Sequence, residues 1–186
     1  INLNSGYQAI GWSTTNGSIT SSVGIDVFTE IGRDTTYYSI TKKEQELKGT
    51  FHYINNGVVN TETTSCGLYN GATSCQLESP ITPVPYNGVS FASWSSSEAS
   101  NVNTTLEISG NKDFYGYYVQ VFSVTKIEGA SATTTTNTYL YEYIAGTNIV
   151  TKEPTVNIGT PESISGYETL GWREDDTKGV ATLASN

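Results

Sequence analysis

Chemistry in a protein starts from a short set of side chains, and this chain holds few of them. It has two cysteines, Cys66 and Cys75, and one histidine, His52. Both cysteines follow a serine, and Asn70-Gly71 sits midway between them. Asn-Gly is the strongest short turn signal, because a type I′ turn needs positive φ at both central residues. A hairpin closing there brings the cysteines toward each other. Cys66 and Cys75 are therefore expected to form a disulfide that staples a hairpin or loop; two reduced thiols on a loop is the plainer alternative. A metal site is not expected, since one His and no third soft ligand leave the coordination short. A disulfide implies an oxidising, extracellular setting.

A hydrolase triad needs a histidine base, and His52 lies in an alternating strand with Phe51 and Tyr53 on the opposite face. It reads as a surface or cross-strand residue. No Gly-x-Ser-x-Gly elbow, Walker motif or dinucleotide fingerprint is present. The acids are scattered. Glu174-Asp175-Asp176 reads as a solvated loop, and Asn111-Lys112-Asp113 as a turn rather than a calcium loop. Asn16-Gly17-Ser18 and Asn103-Thr104-Thr105 are glycosylation sequons, relevant only in a glycosylating secretory host. The expectation is a protein that is not an enzyme and carries no cofactor.

The elements that hold these residues are strands. Short β-branched and aromatic runs alternate with Gly, Asn and Asp. Lys42–Lys48 has helix-forming residues for one or two turns at most. Tyr117–Ile127 is a long β-rich run. Tyr139, Tyr141 and Tyr143 alternate strictly, which sets three rings on one strand face. Together with Tyr69 they form the candidate ligand face.

Composition agrees with this class. Of 186 residues, 36% are apolar and only 15% charged, with 13 Tyr and 18 Gly. The net charge of −9 argues against nucleic-acid binding. No apolar run approaches the ~20 residues of a membrane-spanning helix. No Met is present, so a processed product, a fragment or a window of something longer is expected.

Three elements recur. Gly6-Tyr7-Gln8-Ala9-Ile10-Gly11-Trp12 matches Gly166-Tyr167-Glu168-Thr169-Leu170-Gly171-Trp172, with a looser copy at Gly88-Val89-Ser90-Phe91-Ala92-Ser93-Trp94. The tryptophans are 82 and 78 residues apart. Ile31–Tyr38 resembles Ile108–Tyr115, and Phe51–Gly57 resembles Tyr141–Gly146. The cyclic order is the same throughout, which marks tandem repetition. The frame predicts a partial unit over 1–41, a complete unit over 42–125 with the cysteine loop, and the start of a further unit over 126–186. The ends are expected either to lie in a longer array or to complete each other, within one chain or head-to-tail between copies.

The carrying residues are Gly6, Tyr7, Gly11 and Trp12 followed by Asp34-Thr35-Thr36-Tyr37; Pro83, Pro85, Gly88, Phe91 and Trp94; and Pro161, Gly166, Tyr167, Gly171 and Trp172. This pattern resembles the Listeria–Bacteroides repeat, the InlB B-repeat type found in tandem on bacterial surface proteins. Ser93 and the cysteine-bearing insertion depart from it, and the unit is longer than usual. The resemblance implies a small β-grasp-like fold per unit and a spacer or stalk role. The residues alone point to a β-rich chain of small sheets with little or no helix. A small unit has a small core, so Trp12, Trp94 and Trp172 are expected to anchor it.

Two functions follow as expectations. One is a structural spacer in an extracellular cell-surface or fibre protein, with neighbouring repeats or like subunits as partners. The other is an adhesin or phage or virion fibre module binding host glycans or surface proteins.

Overall fold

The computed structural model describes residues 3–25, 34–85, 88–128 and 132–172. The described residues are all-β and contain no helix.

β1 (Tyr7–Ser13) and β2 (Tyr38–Lys43) form an antiparallel pair. β3 (Leu47–Asn55) and β4 (Val58–Cys66) form a hairpin closed by Asn56-Gly57, with φ of 50° and 80°. β5 (Cys75–Gln76) pairs with β7 (Glu107–Ile108). The main sheet has six strands in the order β10-β9-β8-β3-β4, with β6 also on β8. Here β6 is Ser90–Ser95, β8 Lys112–Glu128, β9 Thr133–Ala145 and β10 Ile149–Lys152. Among the described residues only the β3–β8 pairing is parallel.

β8 organises this sheet because it is long enough to serve several neighbours in turn. Tyr115 pairs with both His52 and Ser95, so β3 and β6 lie on opposite edges. Tyr117–Val119 pair with both β6 and β9. β3 and β9 therefore follow one another along the same edge. The repeat boundary at 125/126 falls inside β8, and that at 41/42 falls inside β2. Hydrogen-bond ladders run across both positions, so strand continuity does not follow the repeat frame. The Lys42–Lys48 segment is the end of β2, a turn and the start of β3 rather than a helical turn.

The core is aromatic. Phe51 stacks on Phe114 at 4.8 Å and receives the edge of Trp94 at 4.9 Å. Leu77 and Ile108 close this cluster. A second cluster joins Ile54, Val89, Tyr118 and Ala145. Phe91 bridges the two, edge-on to Trp94 at 5.2 Å and to Tyr118 at 5.5 Å. Burying such a large apolar side chain contributes about 1.5–3 kcal/mol, so these few rings dominate the stability of the unit.

The β1–β2 and β6–β8 pairs share a register. Trp12 faces Ser39 across β1–β2, and Trp94 faces Gly116 across β6–β8. A bulge lies two residues before each Trp, between Ala9 and Gly11 and between Phe91 and Ser93. Ser13 and Ser95, the next residues, are both buried. Each hydroxyl accepts the amide two residues on, from Thr15 at 3.1 Å and from Ser97 at 3.0 Å. Gly11 has φ +147°, and a Cβ there would collide with Ser21 and lie 2.6 Å from the Val23 carbonyl. A close backbone approach therefore requires glycine at this bulge.

Candidate binding surface

The cysteine loop comes first in the chain. Cys66 closes β4 and Cys75 opens β5, with sulfurs 2.09 Å apart and Cα atoms 6.0 Å apart. Asn70 and Gly71 take φ of 52° and 82°. Both are positive, as a type I′ turn demands. The arms of this turn do not continue as a hairpin. Its first arm instead joins the free edge of β2: Lys43 N–H donates to Leu68 O at 2.8 Å and Asn70 N–H to Thr41 O at 2.9 Å. The Asn70 side chain accepts from Thr41 N–H at 3.1 Å and donates to Ser18 O at 3.1 Å. Leu68 is buried beneath. The disulfide loop thus docks the β1–β2 pair onto the rest of the chain.

Tyr69 lies in this loop, with the Lys42 ammonium 5.6 Å from its ring centroid. Lys42 also bonds Glu46 at 2.5 Å, and Ser65 donates to the same carboxylate at 2.5 Å. The Lys42 ammonium, then the Ser65 hydroxyl, hold the Glu46 carboxyl below its ordinary range. One ring face of Tyr69 is therefore already occupied by a cation.

Beyond Val119 on one edge and Glu142 on the other, β8 and β9 run on as a two-stranded arm. One face of the arm carries an aromatic ladder. Tyr139 stacks on its cross-strand partner Phe122 at 5.6 Å. Phe122 tilts toward Tyr141 at 6.5 Å, and Tyr141 stacks on Tyr143 at 5.5 Å. Tyr143 packs against the second core cluster, so the ladder extends the core outward along the arm. Rings stacked this way turn their faces toward each other and their edges outward. The opposite face is sparse: Thr125 and Thr136 join hydroxyls at 3.0 Å, and Val121 and Leu140 pair across the strands, 61% and 47% exposed.

The tyrosine hydroxyls carry most of the electrostatics. Burial, then the hydrogen bond to Glu142, pushes Tyr117 up to about 12. The Glu153 carboxylate accepts from Tyr141 and raises it to about 12 as well, with burial adding to the effect. Burial also raises Tyr118, whose hydroxyl accepts from Ile54 N–H at 3.0 Å.

The tryptophans occupy three different environments. Trp94 is 8% exposed and lies in the first core cluster. Trp12 is half-buried. Its backbone bonds to Val23 through Trp12 N–H at 2.9 Å. Trp172 is half-buried outside both clusters, donating to Gly159 O at 2.6 Å beneath the Lys126 ammonium, 5.5 Å from the ring centroid. Lys126 also donates to Ile158 O at 3.2 Å. Residues 157–172 therefore lie against the tip of the arm.

His52 stacks on Tyr115 at 4.8 Å and bonds Asp113 at 3.1 Å, across the β3–β8 pairing. Asn111 accepts from Lys48 N–H at 2.9 Å, and Lys112 bonds Thr104 at 2.8 Å. Both side chains serve the turn. Glu174-Asp175-Asp176 lies outside the described residues. Among the described residues, no cluster of His, Cys, Asp and Glu could hold a metal ion, and no helix is long and apolar enough to cross a membrane. Sequence reading missed Phe122, Lys126 and Glu153 as partners of the tyrosines and of Trp172. Only the pairing of β8 with β9 and the path of residues 153–172 bring them together.

No protein-family model matches the chain. No curated protein and no solved structure matches it either.

Proposed function

We propose that this chain is a spacer segment of an extracellular, repeat-built surface or fibre protein, working through length and stiffness. The observation that carries this reading is the repeated register. The same bulge, Trp and buried Ser occur in β1–β2 and in β6–β8. Residues reused in each unit serve the unit's own packing. The ladder on the arm supports the same role, since stacked cross-strand rings stiffen a two-stranded ribbon that is otherwise marginal in water. The Cys66–Cys75 pair fits an oxidising compartment. The resemblance to bacterial surface repeats leads to the same place.

The alternative is an adhesin or fibre module binding glycans or a host surface protein. It draws support from the exposed Val121–Leu140 pair, because exposed apolar patches mark interaction sites. A glycan array and a cell-binding assay on the intact chain separate the two. The spacer reading expects no reproducible binding. Binding that is lost on Tyr69→Ala or Tyr141→Ala would overturn it.

A further inference from the structure

The third copy of the Gly-Tyr-Trp element shares the entry turn and glycine conformations of the first and has no ladder among the described residues. Gly6, Gly88 and Gly166 take φ of 82°, 78° and 83°. Tyr7 N–H bonds Asn4 O at 3.2 Å, and Tyr167 N–H bonds Ile164 O at 3.0 Å, closing the same turn. Gly11 and Gly171 take φ of 147° and 128°. The first two copies each receive an aromatic strand in one register. The third presents Tyr167 and Leu170 at 78% and 63% exposure.

We propose that residues 166–172 are an acceptor edge for β2 of a second copy of this chain, taken in exchange for that copy's own β1. The shared register sets Trp172 opposite Ser39, Gly171 opposite Ile40, Glu168 opposite Lys42 and Tyr167 opposite Lys43. Within one chain, Lys42 faces the neutral Gln8. The exchange sets a second carboxylate against it, beside the Glu46 that Lys42 already holds at 2.5 Å. Opposite charges directly across a ladder stabilise it and like charges oppose it. Glu44 N–H donates to Gly6 O at 2.9 Å, and the Gly166 carbonyl stands at the same point of its own turn. Main-chain bonds from β2 to β1 between Tyr7 and Trp12 thus have counterparts at Tyr167–Trp172, and the charge pair selects the partner. The contact is heterologous, so copies add head-to-tail into open chains or rings.

The test is sedimentation of the intact chain over a wide concentration range at low salt. The expected result is a weight-average mass that rises with concentration. Glu168→Lys should weaken association roughly 3- to 30-fold. A monomer at every concentration overturns the proposal. So does association that Glu168→Lys leaves unchanged. None of these outcomes bears on the glycan-binding test.

Discussion

The Tyr118 hydroxyl replaces a missing strand bond, and Tyr118→Phe measures its worth. The β3–β8 ladder ends at His52 and Tyr115. Two residues later, Ile54 N–H has no β8 backbone partner and donates to Tyr118 at 3.0 Å. Ile54 is 3% exposed and Tyr118 is fully buried. Phenylalanine keeps the ring in its place against Phe91 but leaves the Ile54 amide unpaired. A buried unpaired amide costs about 1–3 kcal/mol. For a chain of this size that lowers the thermal midpoint by roughly 2–12 °C. It lowers the urea midpoint by about 0.5–1.5 M at an unchanged slope. Hydrogen exchange at Ile54 should quicken selectively. Tyr53→Phe is the control, since its bond to Glu62 is solvent-exposed, and should stay within about 0.5 kcal/mol. A Tyr118→Phe midpoint within about 0.2 M of the parent, with Ile54 exchange unchanged, would refute the reasoning.

Other outcomes follow from the same geometry. Cys66→Ser with Cys75→Ser should cost about 2–3 kcal/mol for a loop of this length and expose the Thr41 and Lys43 amides, read by urea denaturation and hydrogen exchange. Trp94→Ala should cost about 3–5 kcal/mol by opening the core, whereas Trp172→Ala should stay below about 1 kcal/mol; equal losses would show that both anchor a core. In an ultraviolet titration, Tyr117 and Tyr141 should ionise near 12, above an ordinary tyrosine. Because folding raises both, the stability they contribute is intact below about 10 and falls as pH rises from there through 12. Glu142→Gln should lower the Tyr117 midpoint, and a Tyr117 midpoint that does not move would contradict the hydrogen bond.

The all-β class, the Asn56-Gly57 and Asn70-Gly71 turns and the cysteine pairing were legible because each rests on local rules. Alternation has a two-residue period, and Asn-Gly tolerates positive φ. Gly6, Gly88 and Gly166, aligned by motif, take similar positive φ. Residue type could not say which ladder each strand joins. Tyr139, Tyr141 and Tyr143 share a strand face by sequence, but the ring that meets Tyr139 from the neighbouring strand, Phe122, is set by the β8–β9 pairing. The three Trp residues look alike in their motifs, yet one lies in the core, one is half-buried in β1 and one is clasped by Lys126. Strand propensity and turn chemistry are properties of neighbours in sequence, and this chain states them clearly. Burial, stacking and cross-strand charge depend on contacts made at long range along the chain. Those were decided only when β8 took three neighbours and the disulfide loop closed on β2.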